Sequence, residues 1–91
     1  MIPRASADAV RDVILDRVVD SLAAKGLTPS DVPPSFDLLL EGVIDSFGVV
    51  EMIMMLEQRF GVEFDLDELP ADDVTKVGPL SAYIARKSSE S

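Results

Sequence analysis

No cysteine, histidine or tryptophan occurs in the 91 residues, and asparagine is missing as well. Without Cys there is no disulfide, and without Cys or His there is no zinc site of the usual kind, no thiol nucleophile and no imidazole base. The lack of Asn removes the N-glycosylation acceptor. Basic residues are scarce: eight Lys and Arg stand against seventeen Asp and Glu, for a net charge of -9. Such a field repels phosphate backbones and attracts basic surfaces, so nucleic acid is not an expected partner. No apolar run approaches the ~20 residues of a membrane span. The stretch Met1 to Asp8 has no apolar core of a signal peptide. No membrane association and a cytoplasmic location are therefore expected.

What is present is a core. Hydrophobic residues make up 47% of the chain, well above what a disordered chain of this charge carries. The length suits one domain over residues 1–91, since two cores would each be too small to offset chain entropy. Ser6 can cap a first helix over about residues 6–25, in which Val10, Val13, Ile14, Val18, Leu22 and Ala23 recur at helical spacing before Gly26. Asp8, Asp12, Asp16 and Asp20 line its solvated side, with Arg11 and Arg17 as i,i+3 partners of Asp8 and Asp20. Pro29, Pro33 and Pro34 then forbid a long helix, and residues 27–45 read as a long loop. Its Phe36, Leu38, Leu39, Leu40, Val43 and Ile44 need cover, which predicts a loop pinned over the core.

A second helix is predicted over about residues 46–60, opened by Asp45-Ser46 and closed by Gly61. Its apolar sector of Phe47, Val50, Ile53, Met54 and Phe60 belongs to an arc wider than one core face needs. Six acids follow between Glu63 and Asp73. Pro70 fits the first turn of a short third helix, about 70–75, and Pro79 the first position of a fourth, about 79–87, with Lys87 to Ser91 fraying. The fold class is all-α: a four-helix bundle with three longer helices, a short third one, and a long loop between the first two.

Chemistry is hard to place on these residues. Asp65 and Asp67 have the spacing of a calcium loop, but the loop's glycine position would be Pro70 and its bidentate Glu would be Lys76, so no metal site is assigned. A serine nucleophile would need a base, and a small bundle without His offers little shelter for one. No catalytic residue is assigned. The chain reads as a platform on which other enzymes act.

Ser46 taken alone is an ordinary helix cap. Its surroundings are more specific. The segment Leu40-Glu41-Gly42-Val43-Ile44-Asp45-Ser46-Phe47-Gly48-Val49-Val50-Glu51-Met52-Ile53, followed by Phe60-Gly61-Val62-Glu63-Phe64, resembles the attachment region of the phosphopantetheine-dependent acyl carrier proteins. The resemblance implies that Ser46 bears a covalent 4′-phosphopantetheine, that Asp45 is the acid before it, and that Phe47, Val50, Glu51, Met54 and Glu57 face partner enzymes. Phe47 replaces the family's commoner Leu, and Lys76 stands where a capping Thr is frequent. The implied partners are a phosphopantetheinyl transferase, an adenylating ligase or acyltransferase, and a downstream synthase, met by a monomer in transient complexes.

Physical reasoning agrees with this. A phosphodiester on a serine at a helix N-terminus is favoured by free N–H groups and the positive end of the dipole. Surrounding acids suit partners with basic patches. The run Glu41 to Gly48 is similar to D-alanyl and other free-standing aminoacyl carriers of secondary metabolism, including polyketide and nonribosomal peptide pathways. Aminoacyl cargo is the first expectation and a fatty or polyketide acyl group the second. The length and Met1 favour a free-standing chain. The alternative is an unmodified acidic helical adaptor that binds a basic protein.

Overall fold

The computed structural model describes residues 5–90. Its helices are α1 (Ala7–Arg17), α2 (Val19–Ala23), α3 (Ser46–Phe60) and α4 (Val77–Glu90), with 3-10 turns at Pro29–Asp31 and Ala71–Asp73. No strand occurs among the described residues, only an isolated antiparallel bridge between Asp37 and Lys76. The all-α class and the long loop are as expected, whereas several boundaries differ.

Ser6 caps α1 as expected, accepting from the Ala9 N–H at 3.0 Å. The single first helix is instead divided at Val18, whose φ of -108° and ψ of 12° leave helical geometry. Two adjacent β-branched residues, Val18 and Val19, sit at the break, where restricted side-chain rotation weakens helix propensity. Arg11 does not pair with Asp8. Its guanidinium turns to the loop and donates to the Pro29 and Val32 carbonyls at 3.0 Å each, stitching α1 to residues 29–32. Gly26, at φ +76°, stops α2, and the Leu27 N–H reaches back to the Leu22 carbonyl.

The long loop is draped on the core, with Val32, Leu38 and Val43 buried. The expectation of cover fails for Leu39, which is at the edge of exposure, and for Leu40, which is 81% exposed. Asp31 closes the turn at 29–31 by accepting from the Thr28 N–H and hydroxyl. Those two bonds, the backbone one first, hold its carboxyl below the usual range.

The expected third helix is only the 3-10 turn Ala71–Asp73, with Pro70 before it rather than within it. The fourth helix starts two residues earlier than expected and continues to Glu90; Pro79 is its third residue, not its first. Residues 87–90 are helical rather than frayed, and Ser91 lies outside the described residues. Pro at the third position is tolerable because the four N–H groups at a helix start have no partner inside the helix. Here the long loop supplies them: Val77 donates to the Phe36 carbonyl at 3.0 Å and Gly78 to that of Pro34 at 2.8 Å. A side chain at position 78 would put its Cβ 2.6 Å from the Pro34 Cβ, so this approach requires glycine.

The core runs through all these elements. Ile14, Leu22, Leu38, Leu56 and Ile84 are fully buried, and each contributes about 2 kcal/mol of transfer free energy. α1 and α4 lie closest together, with α3 against α4. On α3 the buried residues are Met52 and Leu56. Phe47, Val50 and Met54, spaced i, i+3, i+7, face outward. The expected apolar sector is thus rotated, because a helix apolar nearly all round does not reveal which part meets the core.

Candidate functional site

The start of α3 is assembled by the turn that precedes it. Leu38 is buried, and its carbonyl accepts from both Val43 and Ile44 N–H groups at 2.9 and 3.1 Å. Gly42, at φ +73°, lets the chain reverse within that turn. The chain emerges at Asp45 in an extended conformation, and the Asp45 carboxylate accepts from the Gly48 N–H at 2.7 Å. Asp45, not Ser46, is therefore the N-cap.

Ser46 becomes the first helical residue. It is exposed, and its hydroxyl makes no hydrogen bond with any described residue. The N–H groups of Ser46 and Phe47 are unbonded as well, since Asp45 satisfies only Gly48 through its side chain and Val49 through its carbonyl. An accessible hydroxyl beside two free N–H donors and the positive end of a 15-residue helix fits a phosphodiester.

A cleft of about 350 Å³ opens beside Ser46, lined by Leu39, Val49, Leu66, Ala71, Val74 and Thr75. Sequence reasoning assigned none of the five lining residues outside α3 to the site, and named Leu39 only as a loop residue in need of cover. Beneath the cleft, and sharing Val49, Val74 and Thr75 with it, lies a core seam completed by residues such as Leu38, Ile53 and Leu80, with no room for a water molecule. Of the large exposed apolar side chains Leu40, Phe47 at 71%, Val50, Met54 and Leu66 at 68%, Leu66 lines the cleft and Phe47 directly follows Ser46. Leu40 was expected to be covered and Leu66 was not singled out, although its place alone between Asp65 and Asp67 was an available signal.

Of the residues expected to meet partners, Phe47, Val50, Glu51 and Met54 are exposed. Glu57 is half-buried, and its Oε2 accepts from the Phe64 N–H at 2.9 Å, so it holds the chain that leaves α3. That chain is fixed further on by Tyr83. The Tyr83 hydroxyl accepts from the Asp65 N–H at 3.0 Å and donates to Glu68 at 2.8 Å, and Lys87 donates to the same Glu68 oxygen at 2.9 Å. The bond from Lys87, then that from Tyr83, holds the Glu68 carboxyl below its ordinary range. Burial, foremost, pushes the Tyr83 phenol up.

Residues 16–84 match the family model described as the phosphopantetheine attachment site. The chain belongs to this family of carrier proteins. It is 32% identical over 79 residues to the acyl carrier protein of Nitratidesulfovibrio vulgaris, covering 87% of this chain and 97% of that one. With the acyl carrier protein of Chlamydia muridarum the identity is 29% over 82 residues, 90% of this chain and 95% of the relative. With the D-alanyl carrier protein of Bacillus velezensis it is 45% over 40 residues, 38% of this chain and about half, 51%, of the relative. No solved structure matches at a significant level. As a carrier, the protein bears covalent 4′-phosphopantetheine, is a substrate of a phosphopantetheinyl transferase, and holds acyl or aminoacyl groups without catalysing their chemistry. Among the described residues no helix is long and apolar enough to cross a membrane.

Proposed function

We propose that Ser46 carries the 4′-phosphopantetheine and that the cargo is an aminoacyl group, passed between enzymes of a secondary-metabolic pathway of the polyketide or nonribosomal peptide kind. The observation that carries this reading is the exposed Ser46 hydroxyl at the first position of α3, with its own and the next N–H unbonded. When bound, the arm supplies a terminal thiol on which cargo rides as a thioester. The chain's part is to hold the attachment oxygen clear of the fold. Asp45 turns its carboxylate back onto Gly48 and so leaves the serine oxygen open to attack on an activated donor.

The closed seam supports the aminoacyl cargo. A charged aminoacyl group has little apolar area to bury, and taking its ammonium out of water costs several kcal/mol without a paired carboxylate. Local likeness to a D-alanyl carrier points the same way. Partner enzymes would meet Phe47, Val50 and Met54 through apolar pockets and Glu51 through a basic rim, in transient complexes with a cytoplasmic monomer. The domain is read as spanning residues 1–91. Intact mass after incubation with coenzyme A and a broad-specificity phosphopantetheinyl transferase tests the attachment. One arm is expected on the native chain and none on Ser46→Ala. A Ser46→Ala chain that still gains the arm, or a native chain that gains none, as an unmodified adaptor would, overturns the reading.

A further inference from the structure

The cleft beside Ser46 and the closed seam beneath it meet at Val49, Val74 and Thr75, so whatever holds that junction decides what can pass inward. The hold comes from Asp37. Its Oδ1 accepts from the Leu39 and Leu40 N–H groups at 3.0 and 3.1 Å, and its carbonyl accepts from Glu41 at 2.9 Å, winding residues 37–41 into a tight turn. The same residue forms the antiparallel bridge to Lys76, and its neighbour Leu38 donates to the Thr75 carbonyl at 2.8 Å. Leu39 and Thr75, which both line the cleft, are thereby linked through Asp37 and Leu38. Partial burial works to raise the Asp37 pKa, but Leu40, Thr75, Leu39 and Lys76 outweigh it and keep the carboxyl below its ordinary range, so the acceptor stays charged.

We propose that Asp37 is a specificity-determining positioning residue, whose clasp on residues 38–40 and 75–76 keeps the seam shut and so excludes apolar acyl chains from the core. A small aminoacyl group is unaffected, because it has no use for the seam. The inference rests on Ser46 as the attachment residue and on the aminoacyl reading of the cargo.

The test compares native chain, Asp37→Ala and Asp37→Asn, each loaded with an alanyl- or an octanoyl-phosphopantetheine arm and checked by intact mass. The methyl NMR signals of Leu38, Ile53 and Leu80 report on the seam, and thioester hydrolysis reports on shelter from water. In the native chain those signals should be the same with either cargo. In Asp37→Ala the octanoyl form alone should shift Ile53 and Leu80, with its hydrolysis slowed about threefold by exclusion of water. Asp37→Asn should give a smaller shift, since its amide oxygen still accepts from Leu39 and Leu40. A folded Asp37→Ala chain without octanoyl-dependent shifts, alongside a quiet native chain, overturns the clasp alone. Octanoyl-dependent shifts in the native chain overturn the aminoacyl reading and the clasp together, and failure to load the native chain overturns the attachment residue. Should Asp37→Ala not fold, as seen by circular dichroism, Asp37→Asn decides by the same signals.

Discussion

The two long helices that follow the loop begin in opposite ways. At α3 the chain satisfies one N–H through the Asp45 side chain and leaves those of Ser46 and Phe47 facing solvent. At α4 the first two N–H groups are taken by the Phe36 and Pro34 carbonyls, the third residue is a proline with none to offer, and Leu80 returns to the Lys76 carbonyl. Both starts have the same dipole and the same orphan donors. One is sealed by the fold and stabilises it; the other is left open and is where an anion can be held. The same loop serves both ends, since Pro34 and Phe36 close α4 while the turn from Asp37 to Ile44 delivers Asp45 to α3.

The largest expected effect separates function from stability at the open end. Ser46→Ala should abolish arm attachment, read by intact mass, while changing stability by less than about 0.5 kcal/mol, because position 46 is not the cap. At the sealed end the same small change should do the reverse. Gly78→Ala drives a methyl group against Pro34 and should cost about 1–3 kcal/mol, lowering the melting temperature with attachment intact in the folded fraction. An unchanged melting temperature would show that Pro34 yields freely and that the seal is not tight.

Asp45→Ala probes the one bond that the open end does make, and a loss of about 1 kcal/mol is expected in denaturant unfolding. A null result there would mean that the α3 start draws its stability from the Leu38 turn instead. Glu51→Lys should slow arm transfer about two- to threefold at low salt, an effect that fades as ionic strength rises. Equal rates at low salt would remove Glu51 from the partner surface.

The smallest effect is one of pH. Glu68, tied to Tyr83 and Lys87 of α4, and Asp37, tied to Leu39, Leu40 and residues 75–76, have folded pKa values held below their ordinary ones. A depressed carboxyl stabilises the fold above its unfolded pKa, and that contribution is lost as pH falls through the lower folded value. Stability should therefore be flat between about pH 5 and about pH 9 and decline below about pH 4. Replacing Glu68 with Gln should flatten that decline, as followed by thermal unfolding across the acid range.

Much of this was legible along the chain. The extent of α3 follows from Asp45, its helical run and Gly61, because caps and a left-handed glycine are local devices. The serine proposed as the site was marked by its neighbours in sequence, since the turn that presents it is built from contiguous residues 37–45. The start of α4 was not legible. Its cap is made by carbonyls about forty residues away, and a backbone acceptor carries no side-chain signature. The brevity of the third helix has a similar origin, in that the Thr75 carbonyl is taken by the Leu38 N–H and Lys76 by the bridge to Asp37, so residues 75–76 pair with the loop.

What the amino-acid sequence determined by itself is therefore the all-α class, the helix that opens at Ser46, the acid-rich surface and the absence of catalytic equipment, each set by local propensity, capping or composition. The tertiary structure alone decided which side of α3 faces solvent, which acid of α3 is exposed and which is a strut, and whether the seam below Ser46 is open or shut. The physical reason is that burial and hydrogen bonding between distant segments depend on where the chain returns. Phe47 and Met52 are equally apolar as letters, and only the packing of Leu38, Val74 and Leu80 against one side of α3 makes the second core and the first surface.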